Sequence, residues 1–189
     1  MRLMIYFFAE HWWPNSLGVA IYGRYSTVGF AFSEENKLTL YGTRQGRCFS
    51  RFQNRADLFH NVEGKLDLLL PDVDAQTIDV IYRTCEALVE AKVPFGTQDF
   101  LLMSLQFNGP ESPLFECRTL HNSQAVILVL RECLPKDHEL LGVLTAFNSR
   151  QTYPETLYDR IALYCIPVFN SKDFELPVAP HEKRLGRSD

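Results

Sequence analysis

Apolar runs of strand length dominate the first 70 residues of the chain. In the segment KLTLYG, Leu38 and Leu40 alternate with Thr39 and Tyr41, which is the period of two expected of a half-buried strand. The segment SEEN at 33–36 is typical of the polar turn of a hairpin. Further runs with strand composition are LMIYFF at 3–8, GVAIYG at 18–23, STVGFAF at 26–32, RCFSRF at 47–52 and VEGKLDLLL at 62–70.

The apolar spacing becomes helical after Pro71. We expect a helix that Asp74 caps and that ends before Pro94, because four apolar residues recur there at helical spacing. These residues are Ile78, Ile81, Cys85 and Leu88. Farther along, six consecutive residues at 125–130 are apolar. A helix that is apolar on every side is buried on every side, so the sequence predicts a central buried helix over 118–133.

Two more helices are predicted towards the C-terminus. Asp137 is the expected cap of the first, whose inward-facing residues are Leu140, Leu141, Leu144 and Phe147. The segment TYPE predicts a capping box between Thr152 and Glu155, with Pro154 in the first turn of the second helix. Strands followed by helices predict an α+β fold, with an antiparallel sheet of about five or six strands against about four helices.

Composition and charge restrict the class of protein. The chain has 189 residues, 46% of them hydrophobic, and a formal net charge of −4. This predicts one globular domain over 1–178, followed by a flexible polar tail at 179–189. The negative charge argues against nucleic-acid binding, because phosphates require a basic surface. The N-terminal apolar run is too short to span a membrane and predicts a first strand instead.

The cysteines indicate a reducing, cytoplasmic environment. Their number is odd and no CxxC pair occurs, which argues against a disulfide framework or a zinc site. The sequence contains no metal-ligand spacing or phosphate loop, so no metal or cofactor is expected. The five cysteines are Cys48, Cys85, Cys117, Cys133 and Cys165.

The segment FECRTLHNSQAVILVLREC at 115–133 holds the clearest candidate for chemistry. Cys117 stands near the predicted start of the buried helix, where unpaired N–H groups and the helix dipole lower the pKa of a thiol. Arg118 adds positive charge beside it. The pattern therefore predicts a cysteine nucleophile. The alternative is that Cys117 is a small, partly buried side chain at the mouth of an ordinary core helix.

Three segments of the chain together resemble a known superfamily. FECRTL resembles a short acidic-cysteine motif at a helix start, and STVGFAFSEENKLTLYG resembles a hairpin in which a histidine precedes a small-apolar strand. LLLPDVDAQTIDVIYRTCEALVEAKVPFG resembles the strand, helix and turn that lie between them. The motifs resemble those of the papain-like NlpC/P60 superfamily, in the permuted order of the lecithin-retinol-acyltransferase-like proteins. The resemblance implies a papain-like fold and cleavage of an amide or thioester through an acyl-enzyme.

The chain departs from this family pattern at the catalytic base. The family's histidine should precede VGFAF, where this chain has Thr27. His60 and His121 are the remaining candidates, since His60 begins a predicted strand and His121 would share a helix face with Cys117. The motif also aligns with HNSQAV, which places Ser123 at the nucleophile position and leaves no sulfur there. The favoured interpretation of both histidines is an ordinary surface or hydrogen-bonded loop residue.

Two functional interpretations stay open. In the first, the protein is a papain-like cysteine hydrolase acting on a protein or peptide, with Cys117 as nucleophile and His60 or His121 as base. In the second, it is a non-enzymatic protein-interaction module on a degenerate papain-like scaffold. The adjacent Trp12 and Trp13 are then the first surface to probe, because paired tryptophans often anchor partners.

Overall fold

The computed structural model describes residues 1–10, 25–34, 37–43, 48–53, 62–96 and 111–168. The strands in these ranges are β1 Arg2–Glu10, β2 Thr27–Glu34, β3 Lys37–Gly42, β4 Ser50–Phe52, β5 Val62–Leu69 and β6 Ile166–Val168. The helices there are α1 Ala75–Glu90, α2 Asn122–Cys133, α3 Glu139–Thr145 and α4 Pro154–Ile161. The strands form one antiparallel sheet in the order β4-β3-β2-β1-β5-β6, which confirms the predicted α+β class.

Two predicted segments lie outside these ranges. They are the strand at 18–23 and the tail at 179–189. None of the helices in the described residues is long and apolar enough to cross a membrane.

Strand β1 lies near the middle of the sheet and is buried on both faces. Leu3, Ile5 and Phe7 pack with the helices, whereas Tyr6 and Phe8 belong to a second apolar cluster on the other face. A continuous apolar run is the sequence pattern of such a strand, because neither face may be polar.

The neighbouring hairpin differs from its prediction. The prediction that β3 is half-buried is wrong, because Thr39 and Tyr41 are buried as well as Leu40. The turn is also shorter than SEEN, since β2 runs through Ser33 to Glu34 before β3 begins.

Two glycines allow Tyr6 to lie across the neighbouring strands. Tyr6 pairs with Gly29 on β2, and its hydroxyl donates a hydrogen bond of 3.2 Å to the carbonyl oxygen of Tyr41 on β3. A Cβ atom on Gly29 would lie 2.3 Å from the Tyr6 hydroxyl oxygen, and one on Gly42 would lie 2.1 Å from it. Glycine is therefore required where the ring approaches the backbone of both strands.

The predicted N-cap and the predicted apolar face of α1 are both confirmed. The Asp74 carboxylate accepts a hydrogen bond of 2.6 Å from the N–H of Thr77, and this contact lowers the pKa of Asp74. The predicted face is buried, and its residues are Ile78, Ile81, Cys85 and Leu88.

The other end of α1 closes in a Schellman motif. The N–H of Lys92 donates to the Val89 carbonyl at 3.1 Å, and the N–H of Val93 donates to the Leu88 carbonyl at 3.5 Å. Lys92 has a φ of 50°, the left-handed conformation that this motif requires and that glycine adopts most easily. The helix thus ends before Pro94, as predicted.

Helix α2 is the buried central helix, but it begins at Asn122 and not at residue 118. The chain before it is extended, because Leu120 forms a parallel bridge with Phe95. The N–H of Leu120 donates to the Pro94 carbonyl at 3.0 Å, and the Leu120 carbonyl accepts from Gly96 at 3.2 Å. These long-range bonds hold the backbone away from helical geometry. From 125 to 130 every residue is buried, and α2 packs on β2 and on the other three helices described above.

The predicted cap of α3 is one residue out of place. His138, and not Asp137, is the N-cap, and its Nδ1 atom accepts a hydrogen bond of 3.2 Å from the N–H of Leu140. Leu140 and Leu144 are fully buried as predicted, whereas Leu141 and Phe147 are only partly buried.

The predicted capping box of α4 is wrong. Tyr153 is the N-cap, and no side chain caps the helix. Thr152 instead donates its hydroxyl to the Asn148 carbonyl at 2.8 Å, and the Glu155 carboxylate accepts from the N–H of Tyr25 at 3.2 Å. The Glu155 carboxylate therefore bonds to a residue distant in the sequence and does not form the predicted capping box of α4. Pro154 lies in the first turn as predicted.

Candidate functional site

The first turn of α2 is closed by a reciprocal pair of side-chain bonds. The Nδ1 atom of His121 accepts a hydrogen bond of 3.3 Å from the N–H of Gln124, and the Gln124 side-chain oxygen accepts one of 3.4 Å from the N–H of His121. This is a capping box with histidine in the place of the usual serine or threonine. Both side chains are buried, with His121 only 2% exposed.

The second ring nitrogen of His121 is also engaged. Its Nε2 atom lies 3.3 Å from the carbonyl oxygen of Arg150. Since Nδ1 accepts from Gln124, the proton of the neutral ring belongs on Nε2, which donates to that carbonyl. A base must have a lone pair to receive a proton, and in this arrangement the lone pair of His121 already serves the helix cap.

Cys117 does not lie at the helix N-terminus. It follows a 3-10 turn, Leu114–Glu116, and precedes Asn122, the first residue of α2, by five positions. The expectation that Cys117 and His121 share a helix face is wrong, because the chain between them is not helical.

The contacts described for the Cys117 sulfur are with two main-chain carbonyls and one side-chain amide. The S–H group donates to the carbonyl oxygens of Pro113 at 3.4 Å and Ser112 at 3.6 Å. Carbonyl oxygens carry partial negative charge and disfavour an anion beside them. The side-chain amide of Gln124 lies 4.0 Å from the sulfur, too far for a strong bond to an anion.

Ser123 occupies the first turn of α2. It is the second residue of the helix and is 0% exposed. Its hydroxyl oxygen is buried without a hydrogen-bond partner in the described part of the chain. Helix α2 packs against β2, whose first residue is Thr27, 4% exposed. Ser123 and Thr27 are thus both buried hydroxyl residues on elements that pack together.

A hydrogen-bond network around Arg131, which was not predicted from the sequence, fixes the C-terminal end of α2. Arg131 donates from Nη2 to the carbonyl oxygens of Leu144 and Phe147, both at 2.6 Å, and from Nη1 to Glu111 at 2.8 Å. Glu111 also accepts from the N–H of Ser149. Burial acts to raise the pKa of Glu111, but these hydrogen bonds outweigh it and lower that pKa. The signal in the sequence was an arginine following a fully apolar run.

A second polar cluster joins the sheet to α1. The Tyr41 hydroxyl donates to Glu86, and Arg51 pairs with the same carboxylate at 3.1 Å. Burial first, and the Glu86 hydrogen bond second, raise the pKa of Tyr41, so the hydroxyl stays protonated. Glu86 in turn raises the pKa of Arg51. The cluster is a satisfied cross-link between elements and offers no activated group.

Burial makes three of the other thiols poor nucleophiles. Burial raises the pKa of Cys85 and Cys133, and it raises that of Cys165 to about 12. His60, Trp12 and Trp13 lie outside the described residues.

The contacts described for Cys117 and His121 thus run to main-chain groups and to Gln124. The described ranges hold no group of three or more His, Cys, Asp or Glu side chains that could bind a metal ion. Comparison with known proteins gives a negative result, since no protein-family model matches the sequence and no curated protein matches it.

Proposed function

We propose that the protein is a non-enzymatic protein-interaction module on a papain-like scaffold, in which Ser123 and Thr27 stand at the former nucleophile and base positions. The observation that carries this proposal is the first turn of α2, which begins at Asn122 and buries Ser123 completely. A nucleophile must meet its substrate, and a hydroxyl with no exposed surface does not.

The hydrolase alternative needs Cys117 and either His60 or His121 as a base, and the bonds described for Cys117 and His121 work against that pair, while His60 lies outside the described residues. The sulfur donates its proton to main-chain carbonyls, and both nitrogens of His121 hold main-chain groups. Freeing His121 for proton transfer would remove the cap of the central helix. The resemblance to papain-like proteins favours a protein or peptide as the partner.

Thiol reactivity separates the two interpretations. Cys48 and Cys117 are both partly buried, which makes Cys48 the matched internal control. The protein is treated with limiting iodoacetamide near neutral pH, and labelling is read by mass spectrometry on the tryptic peptides 48–51 and 93–118. We expect Cys117 to react no faster than Cys48. A Cys117 rate about tenfold higher, reduced in a His121→Asn variant, would establish a Cys–His pair and overturn the proposal.

A Ser123→Cys variant tests the vestigial position directly. We expect its thiol to resist labelling as completely as Cys85, because both positions are fully buried. Rapid labelling at position 123 would reveal an accessible, activated site and would contradict the proposal.

Binding to a partner protein tests the interaction proposal directly. Proteins cross-linked to the intact chain are identified and purified, and their binding is remeasured with Trp12→Ala/Trp13→Ala as the surface variant. We expect saturable binding that this double variant weakens. Turnover of a bound peptide by the intact chain would instead favour the hydrolase.

A further inference from the structure

Strand β6 forms one edge of the sheet that the structure describes. It stands last in the strand order and pairs with β5 on its inner side. Ile166 and Pro167 are exposed, and Ile166 keeps 53% of its surface in solvent. An edge strand offers its outward main-chain groups to any second strand that approaches it. The direction in which each N–H and C=O group of β6 points therefore decides what can pair there.

The register shows which main-chain groups of β6 point outward. Its three residues lie opposite residues 67–69 of β5 in antiparallel fashion, with Pro167 opposite Leu68. Residues in such a ladder alternate between pairs that exchange hydrogen bonds and pairs that do not. Because proline has no N–H, Pro167 cannot exchange bonds with Leu68. The bonds to β5 therefore belong to the flanking Ile166 and Val168, and the carbonyl of Pro167 points to the outer edge without an N–H beside it.

Apolar side chains beside this edge favour contact with another molecule. Leu69 and Val168 pack against the second apolar cluster, on the face of the sheet away from the helices. Ile166 lies opposite Leu69 in the register, so it continues this apolar surface to the outermost strand. Leu163, three residues earlier, is 85% exposed. Since burial of such side chains stabilises an interface, opposition to pairing must come from the main chain of the edge.

A second copy of the chain presents the same edge. Two identical edges pair most simply in antiparallel fashion about a two-fold axis. With the axis at Pro167, the two copies of this residue would lie opposite each other as a pair of the hydrogen-bonding type, because their main-chain groups point outward. Neither proline has a donor, so both hydrogen bonds are lost and two carbonyl oxygens are covered without a partner. In a shifted register, the carbonyl group that faces Pro167 also finds no donor.

We propose that Pro167 prevents the β6 edges of two copies of this chain from pairing, and that a second copy is the partner this edge fits once the proline is replaced. The opposite edge of the sheet is protected in another way, because β4 has three residues and carries the charged Arg51. The inference rests on the register and exposure of β6 and does not depend on the proposed function.

The test compares self-association of the full-length wild type with that of Pro167→Val, by sedimentation equilibrium over a range of protein concentrations. Valine supplies the missing N–H and suits a strand. We expect the variant to associate at least about tenfold more tightly than the wild type, because a symmetric pair gains two hydrogen bonds. Pro135→Val is the matched control, since Pro135 is also exposed but lies in the loop between α2 and α3, and it should associate as the wild type does.

Two further variants frame the result. Pro167→Ala restores the same N–H with a smaller side chain, so the same direction of change is expected even if valine impairs folding. Ile166→Lys in the Pro167→Val background places a charge on the edge and should return association to the wild-type level. Wild-type association in both Pro167 variants would overturn the inference. So would an increase that Pro135→Val shares or that Ile166→Lys leaves unchanged, because the β6 edge would then not be the contact.

Discussion

His121 offers the most direct test of how the central helix is built. Replacement by alanine removes the Nδ1 acceptor that caps α2 and the Nε2 donor that serves the Arg150 carbonyl. Loss of an N-cap costs about 1 kcal/mol, within a range of roughly 0.5–2. A buried polar group left without its partner costs about 1–3 kcal/mol more. Since contacts within one network are not additive, we expect a total of about 2–4 kcal/mol in the free energy of unfolding.

Two further variants sharpen this prediction. His121→Asn returns an acceptor to the N-cap without the Nε2 bond, so it should recover about 1 kcal/mol. His138→Ala removes a histidine cap from α3 that accepts from the second helical N–H and has no capping box. Helix α3 is shorter and His138 is only partly buried, so the cost should be smaller.

Urea unfolding at constant neutral pH measures each midpoint, and an unchanged m-value shows that the same two states are compared. The cap interpretation is refuted if His121→Ala lies within about 0.5 kcal/mol of the wild type or if Asn and Ala are equally destabilising.

Three further predictions rest on other parts of the structure. Ile127→Ala should cost about 2–5 kcal/mol in chemical unfolding, because Ile127 is fully buried in α2, and a loss below about 0.5 would contradict that placement. Lys92→Gly should stabilise by up to about 1 kcal/mol, with Lys92→Ala near neutral, and equal thermal midpoints for both would argue against the left-handed geometry. Glu111 has a lowered pKa in the folded state, so its stabilisation is present above its unfolded pKa and is lost as pH falls through the folded pKa. The stability gap between the wild type and Glu111→Gln should thus be about 1 kcal/mol at pH 7 and shrink as the pH falls through the lowered pKa of the folded state, whereas a pH-independent gap would exclude the carboxylate as its source.

The sequence predicted those elements whose causes are local. Helix α1 has its cap, its apolar spacing and its terminating proline within about twenty residues, so no distant partner could change it. The strand runs and the burial of 125–130 were predicted for the same reason. By contrast, the start of α2 depends on the bonds of Leu120 to residues 94–96, and the cap of α4 failed because Glu155 binds Tyr25. Such contacts between distant segments leave no periodic signal in the sequence.

The position at which α2 begins determines which groups surround the Cys117 sulfur. With a helix beginning at residue 118, Cys117 would lie in the field of the helix N-terminus. With α2 beginning at Asn122, the sulfur instead faces carbonyl oxygens. The effect of the helix dipole falls off within one turn, so a shift of this size decides whether a thiol is activated. Histidine as an N-cap was equally hard to foresee, because serine, threonine, asparagine and aspartate are the usual residues there.

The ring of Tyr6 has a consequence for strand alignment. Sliding β1 along β2 by one residue in either direction would bring Tyr6 opposite Val28 or Phe30 in place of Gly29. Both have side chains that a ring crossing to Tyr41 could not pass, and the slip would also exchange the two faces of the strand. A slip of two residues keeps the faces but meets Thr27 or Ala31, each with a Cβ atom. The close approach of Tyr6 to Gly29 and Gly42 therefore permits only one alignment of these strands. The uniform apolar character of β1 alone would be compatible with several alignments.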